Sequence, residues 1–330
     1  MSRLPLTLGC WNYDRIRALA DGSVRPDGID LNVLEMPVEE TFFRMLRYQE
    51  FDVAELSLSS YTMTRHRDPA PFVAIPVFPS RFFRHSSIFV STKAGIGSPK
   101  DLIGKRVGCP EYQMTAPVWI RGILQDHYGV PVDSVTYVTG GEESPGRSEK
   151  LKLDLPPAIK VERIGAGQTL AQMLAAGEID ALYTARTPST FRTQPDRVRR
   201  LFPDFLDVER AYFRTTGIFP IMHTIAIRRD VYAANRWIAQ ALTKAFGEAQ
   251  RRTYEDLQES AALKAMLPWL TAQVEAVRAE MGDDYWPYGL AKNRTALETF
   301  LRYHHEQGLS PRRLQPEDLF APETLDGFVI

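Results

Sequence analysis

The chain has 330 residues, which at about 150 residues per domain indicates two domains. Hydrophobic residues make up 44% and charged residues 25%, and these values exclude a disordered, collagen-like or coiled-coil protein. With 40 basic and 41 acidic residues the formal net charge is −1, which disfavours a nucleic-acid partner because such proteins carry a basic excess.

The two cysteines, Cys10 and Cys109, are far apart, and neither stands in a CxxC pair. This spacing favours neither a disulfide framework nor a structural zinc site. No window of 18 apolar residues predicts a membrane span, and the residues before Leu6 contain no apolar signal-peptide core. We therefore expect a cytoplasmic protein without a membrane partner.

The first hundred residues alternate between strand and helix patterns. Leu6–Leu8 and the alternating stretch Ile29–Leu34 predict strands, Glu39–Tyr48 predicts a helix, and Phe51–Leu56 predicts the next strand. Strand, helix and strand at this spacing predict a mostly parallel sheet covered by helices.

A second series of elements begins near residue 86 and becomes helical from about residue 230. Its predicted elements are a strand over 86–91, a helical turn at 98–102, a strand after Gly104, a helix over 117–128, a strand over 135–138, a helix over 168–176, a strand over 179–183, and helices over 237–249, 261–281 and 292–307. We expect His304 and His305, on the last helix, to lie at the surface.

Two phrases in this second series resemble type 2 periplasmic-binding-protein folds: DLIGKRVG at 101–108 and LAAGEIDA at 174–181. The resemblance implies an α/β fold of two lobes with the ligand in the cleft between them. It implies that lobe one comprises residues 1–90 and 223–330, including the C-terminal helices, and that lobe two comprises residues 91–222.

More specific phrases are similar to the 4,5-dihydroxyphthalate decarboxylase family of bacterial phthalate degradation. They are FPSRFFRHS at 78–86, PEYQMTA at 110–116 with WIRG at 119–122, TARTP at 184–188, and FPIMHT at 219–224. The resemblance implies non-oxidative decarboxylation of 4,5-dihydroxyphthalate to protocatechuate and CO2. The partner is then a small aromatic dicarboxylate.

Such a reaction needs cations for the dicarboxylate, a base near the phenol and an acid near the ring carbon. Arg81, Arg84 and Arg186 are candidates for the first task because a guanidinium matches a carboxylate, although a surface ion pair is the alternative for each. Thr115, at a predicted helix N-terminus, is a candidate for anion binding or a simple cap. Tyr112 and Gln113, in the phrase before it, are further substrate-binding candidates.

Two of the six histidines, His85 and His223, fall where the resemblance places the chain crossing between lobes. We expect at least one of them to transfer a proton, although a hinge histidine bonded to the backbone is the alternative for either. Glu55 and Ser57 follow the third predicted strand, where Glu55 could take the phenol proton, orient a histidine or simply face solvent. Trp11, after the first strand, could stack on the ring or pack in the core.

The sequence contains no metal-binding histidine pair and no nucleotide-binding glycine motif. We therefore expect no cofactor and no metal, with a divalent ion left open because some aryl decarboxylases of other folds use one. The alternatives to the enzyme are a solute-binding protein or a sensor for a small aromatic carboxylate. A homo-oligomer is plausible for an enzyme of this size.

Overall fold

The computed structural model describes residues 3–325 and divides them into two compact units. The first unit holds residues 3–81, 223–294 and 315–325, and the second holds residues 82–222 and 295–314. Both units combine one sheet with covering helices, so the predicted two-unit α/β fold class is confirmed.

The strands, in chain order, are β1 Leu4–Cys10, β2 Ile29–Glu35, β3 Val53–Ser57, β4 Phe72–Ile75, β5 Ile88–Ser91, β6 Arg106–Cys109, β7 Thr136–Thr139, β8 Lys160–Arg163, β9 Ala181–Tyr183, β10 Val198–Arg200 and β11 His223–Arg228. The helices are α1 Arg17–Ala20, α2 Val38–Tyr48, α3 Leu58–Thr64, α4 Thr115–Tyr128, α5 Leu170–Ala176, α6 Ser189–Thr193, α7 Phe205–Thr216, α8 Arg229–Ala234, α9 Ile238–Gln258, α10 Leu270–Met281 and α11 Arg294–Glu306.

The first unit contains a five-stranded sheet in the order β2-β1-β3-β11-β4. β1 pairs in parallel with β2 and β3, as the strand–helix–strand spacing predicts, whereas β11 runs antiparallel between β3 and β4. Its core joins Leu8 and Ile225 of the sheet to Ile238, Leu242 and Phe246 of α9, whose apolar positions recur at helical spacing. The C-terminal half of the chain therefore completes a sheet that the N-terminal half begins.

The second unit contains a six-stranded sheet in the order β10-β5-β9-β6-β7-β8. β9, β6, β7 and β8 are parallel, and β5 runs antiparallel to both β9 and β10. Helix α5 covers this sheet, and its Leu170 and Leu174 are fully buried in one cluster with Phe89, Val138 and Leu182.

The division between the units differs from the predicted one at residues 82–90 and 295–314, both of which belong to the second unit. The reason for the second difference is the packing of α11 on α4. The Trp119 ring lies 5.5 Å from that of Phe300, and Arg121 Nε donates to Gln307 Oε1 at 2.7 Å.

Two further predictions about the late helices are wrong. His304 is fully buried, with its ring 5.7 Å from that of Phe300 and its Nδ1 2.6 Å from Ser310 Oγ, whereas His305 is exposed as predicted. The predicted helix over 261–281 begins only at Leu270, since Pro268 disfavours helical backbone in the residue before it.

Among residues 3–325, none of the helices combines the length and the hydropathy that crossing a bilayer requires.

The contact between α4 and α11 depends on Gly122, where an added Cβ would overlap the ring of Tyr303. We expect Gly122→Ala to lower the free energy of unfolding by about 1–3 kcal/mol, because overpacking displaces neighbouring groups. The matched control is Gly247→Ala in α9, where the new methyl group meets nothing within 4 Å. That substitution should stabilise the protein by about 0.5–1 kcal/mol. Urea unfolding measures both, and equal effects would contradict the assigned packing.

Candidate functional site

A buried carboxylate lies at the carboxyl edge of the first sheet. β1 and β3 are parallel with Gly9 beside Ala54, so Cys10, the last residue of β1, lies next to Glu55 near the end of β3. The antiparallel β11 begins at the same edge with His223, which pairs with Ser57 in the ladder. Residues from three separate parts of the chain therefore converge here.

The Glu55 side chain is completely buried, and each of its oxygens has two partners. Oε1 lies 2.6 Å from the hydroxyl of Tyr13 and 2.6 Å from Nδ1 of His223. Oε2 accepts from the backbone N–H of Trp11 at 3.1 Å and lies 3.5 Å from the Cys10 thiol. The prediction left open a glutamate that faces solvent, and that alternative is wrong.

These contacts keep Glu55 ionised. Burial raises the pKa of Glu55. The charge and hydrogen bond of His223 oppose this effect, together with the hydrogen bonds from Tyr13 and Trp11, and the net result is a pKa below the ordinary value of a glutamate. Burial and the Glu55 charge raise the pKa of the Tyr13 hydroxyl, and the same two causes raise the pKa of the Cys10 thiol. Tyr13 and Cys10 therefore act as neutral donors to a carboxylate.

His223 is oriented by this carboxylate. Its contact with Glu55 uses Nδ1, and its ring also packs edge-on against Phe42 with the centroids 4.8 Å apart. The side chain keeps 16% exposure. Because Nδ1 is engaged, Nε2 is the nitrogen that can exchange a proton with a ligand.

Two other predicted residues lie at the same edge. Trp11 donates its backbone N–H to Glu55. The residue is 43% exposed, so its indole does not pack in the core. Ser57 caps α3, and its hydroxyl accepts from Ser60 N at 3.5 Å. The structure therefore brings Glu55, His223, Trp11 and Ser57 together.

The second unit holds Arg84 and His85 on consecutive positions, both buried. Burial lowers the pKa of Arg84 to about 9, and its Nη1 contacts, to Ser87 Oγ and Ala185 O, are both 3.5 Å long. Such long contacts are weak hydrogen bonds and leave capacity for a stronger acceptor.

His85 has an environment opposite to that of His223. Its ring packs edge-on against Tyr128, Phe202 and Tyr212, and neither ring nitrogen has a hydrogen-bond partner within residues 3–325. Burial, helped by the neighbouring His127, lowers the pKa of His85 to about 4. His85 is therefore neutral near pH 7.

Arg81 belongs to the first unit and is bonded inside it. Its Nη2 donates to Pro287 O at 2.7 Å and to the Asn293 side chain. Burial lowers the pKa of Arg81 to about 9. These bonds tie the guanidinium to the segment just before α11 and give it a structural function within this unit.

The remaining predicted residues lie in the second unit. Thr115 is the first residue of α4 and is buried, and Arg186 is exposed just after β9, with its backbone N–H donating to Thr184 Oγ1 at 3.1 Å. Tyr112 is buried, and its hydroxyl donates to Gln307 O at 3.0 Å. Gln113 is also buried and, with its amide oxygen facing them, accepts from the backbone N–H groups of Leu151 and Lys150.

The hydroxyl of Tyr13 is the functional group that sequence reasoning missed, since an aromatic ring after a strand suggests stacking first. Its position after β1, next to β3, is the signal that could have placed it beside Glu55. Within residues 3–325 no group of three His, Cys, Asp or Glu side chains is arranged to hold a metal ion.

Two curated proteins resemble the chain in sequence. A 4,5-dihydroxyphthalate decarboxylase from Comamonas testosteroni is 42% identical over 330 residues, which cover all of both chains. A protein of the same name from Pseudomonas putida is 46% identical over 204 residues, or 62% of this chain and 79% of that one. No family model matches the chain.

Solved structures show the same fold at low identity. The periplasmic sulfonate-binding protein SsuA from Methylobacillus flagellatus superposes with a TM-score of 0.56 at 13% identity, covering 98% of this chain and 94% of that one. SsuA from Escherichia coli gives 0.53 at 14% identity, covering 98% and 99%. The chain therefore has a type 2 periplasmic-binding-protein fold, as predicted.

We expect Glu55→Gln to lower the free energy of unfolding at pH 7 by about 1–3 kcal/mol, because an amide cannot accept from four donors. Since the folded-state pKa of Glu55 lies below its unfolded value, the carboxylate stabilises the fold above the unfolded pKa. That contribution is lost as the pH falls through the folded pKa. The difference between wild type and variant should therefore shrink below about pH 4.5.

Urea unfolding over this pH range measures the difference. The control is Glu162→Gln, in an exposed pair with Arg106, which should change stability by about 0–1 kcal/mol. A difference for Glu55→Gln that grows toward acid would contradict an ionised Glu55.

Proposed function

The chain belongs to the 4,5-dihydroxyphthalate decarboxylase family, and we propose that it converts 4,5-dihydroxyphthalate to protocatechuate (3,4-dihydroxybenzoate) and CO2 without oxidation. It is on this assignment a carboxy-lyase of phthalate degradation. The observation that supports the chemistry is the Glu55–His223 pair, a buried carboxylate that orients an imidazole at the edge of a sheet.

The substrate itself supplies the electrons for this reaction. When the hydroxyl para to the departing carboxylate loses its proton, the ring becomes electron-rich, and the carbon bearing the carboxylate can accept a proton. The bond between the ring carbon and the carboxylate then breaks and CO2 leaves. The electron pair of that bond stays on the ring, which becomes an aromatic phenolate, and the phenolate oxygen takes its proton back. The protein must therefore hold the anion, accept and return the phenol proton, and allow protonation of the carbon.

His223 is suited to the phenol proton. Its Nε2 accepts the proton while Nδ1–H stays bonded to Glu55, and the carboxylate stabilises the imidazolium that forms. Glu55 acts through His223, because each of its two oxygens already has two hydrogen-bond partners. Tyr13, Trp11 and Cys10 hold the carboxylate in place and are positioning residues.

The anion is best matched by Arg84 and Arg186 among the predicted arginines. The Nε of the buried Arg84 donates to Met222 Sδ at 3.1 Å, but both contacts of its Nη1 are 3.5 Å long. Arg81, in contrast, is already bonded to Pro287 and Asn293. Arg186 follows β9 at the carboxyl end of a parallel strand, where ligands bind in open α/β sheets. Substrate contacts of Thr115, Tyr112, Gln113, Ser57 and Trp11 stay predictions, as do a cytoplasmic location, a homo-oligomer and independence of metal.

The assignment is tested by incubating metal-free protein with 4,5-dihydroxyphthalate and following CO2 and protocatechuate. Turnover supports it. If the substrate raises the melting temperature and is recovered unchanged, the chain is a binding protein or sensor instead. If no turnover occurs even after divalent metals are added, the substrate assignment is wrong.

We expect His223→Asn to lower kcat by about 10²- to 10⁴-fold with little change in substrate affinity, because it removes a proton acceptor. His85→Asn is the matched control and should keep a kcat close to wild type, since His85 lies among aromatic rings without a carboxylate partner. Steady-state kinetics of both variants, with melting temperatures to verify folding, measure the effect. Loss of turnover in His85→Asn alone would reverse the assignment.

We expect Arg84→Gln and Arg186→Gln each to raise KM by roughly 10- to 100-fold, the equivalent of one charge-assisted hydrogen bond. Arg81→Gln should mainly lower the melting temperature, because it breaks bonds inside the first unit. Comparing KM with melting temperature across the three variants separates binding from folding. An unchanged KM in both of the first two variants would remove these arginines from the substrate site.

A further inference from the structure

A second partly buried carboxyl group, that of Glu142, lies at the carboxyl edge of the second sheet. Glu142 follows β7 by three residues, and Thr184 follows β9 directly. β7 and β9 both pair in parallel with β6, so their carboxyl ends meet at the same edge. This is the edge at which ligands bind in open α/β sheets.

The hydrogen bonds around Glu142 distinguish its two oxygens. The Thr184 hydroxyl accepts from Arg186 N at 3.1 Å, and its own hydrogen is therefore directed to Glu142 Oε2. Oε1 is buried and has no hydrogen-bond partner within residues 3–325. If Glu142 carries a proton, that proton belongs on Oε1, where it faces no protein acceptor.

The surroundings of Glu142 favour the neutral acid. Burial is the largest cause that raises the pKa of Glu142, the carboxylate of Glu143 adds to it, and Thr184, Arg186 and Arg147 oppose them. The resulting pKa is about 7, so a large part of the protein carries a neutral Glu142 near neutral pH. A buried donor without an acceptor is costly, and a ligand oxygen relieves that cost.

We propose that Glu142 is a specificity-determining residue of the decarboxylase, which donates a hydrogen bond from Oε1 to an anionic oxygen of the aromatic acid. This inference rests on the proposed function and adds to it a neutral donor that the sequence did not indicate. Arg186 attracts an anion to this edge, whereas an ionised Glu142 would repel it; the neighbouring Arg147 is already paired with Glu111. Binding therefore requires the protonated form.

The test uses phthalate, an aromatic dicarboxylate that lacks the hydroxyl groups needed for reaction. Its dissociation constant, measured by calorimetry on the full chain between pH 6 and pH 9, should increase by up to about tenfold per pH unit above pH 7. Glu142→Gln keeps an N–H donor and should bind at all these pH values without that increase, whereas Glu142→Ala should bind weakly throughout. Glu162→Gln is the matched control, since Glu162 is exposed and paired with Arg106, and it should keep the wild-type pH dependence.

The outcomes separate this inference from the proposed function. If wild type turns over 4,5-dihydroxyphthalate and Glu142→Gln retains the wild-type pH dependence, Glu142 is not the donor. Tighter phthalate binding by Glu142→Gln at every pH would mean that Glu142 is an ionised partner of the arginines, and this also overturns the inference. If phthalate binding is too weak to measure, kcat/KM for 4,5-dihydroxyphthalate over the same pH range gives the same comparison. A wild type without turnover overturns the proposed function itself.

Discussion

The first unit is organised around a carboxylate that is removed from water at the end of β3. Burying an unpaired ion costs several kcal/mol, so Glu55 is compatible with the fold only because four donors reach it. Three of them, from Cys10, Trp11 and Tyr13, come from one short segment that begins at the last residue of β1. The register of β1 against β3 is therefore also the condition under which this charge can be buried.

The fourth donor, His223, comes from the part of the chain that returns to the first unit after the second unit. β11 enters between β3 and β4 and begins with His223, 168 residues after Glu55. Ladder bonds to strands on both sides hold β11, so the imidazole is positioned by backbone pairing as well as by the carboxylate. A proton-transferring group on a strand between two others keeps its geometry better than one on a loop.

The sequence allowed prediction of what depends on local pattern and on strand ends. Period-2 and period-3.6 stretches identified most strands and helices, and the rule that ligands bind at carboxyl edges selected Glu55 and Ser57. Their pairing with His223 depends on strand order, which local pattern does not contain. The same limit made His304 seem exposed, because the segment after α11 folds back so that Ser310 Oγ lies against its ring. It also left Arg81 and Arg84 indistinguishable, although the first is bonded to Asn293 and the second is not.

Glu55 and Glu142 show how one type of side chain can take opposite charge states in one protein. Glu55 lies near the end of β3 and Glu142 three residues after β7, each at the carboxyl edge of its sheet, and burial acts to raise the pKa of both. Glu55 receives two donors on each oxygen and faces an imidazole, which favours the carboxylate. Glu142 receives a hydrogen bond on one oxygen and has another carboxylate beside it, which favours the acid. Environments that push the pKa values of two carboxyl groups apart are the means by which proteins assign an acceptor and a donor with the same residue type. A reaction that binds an anion and removes a phenol proton can use both charge states.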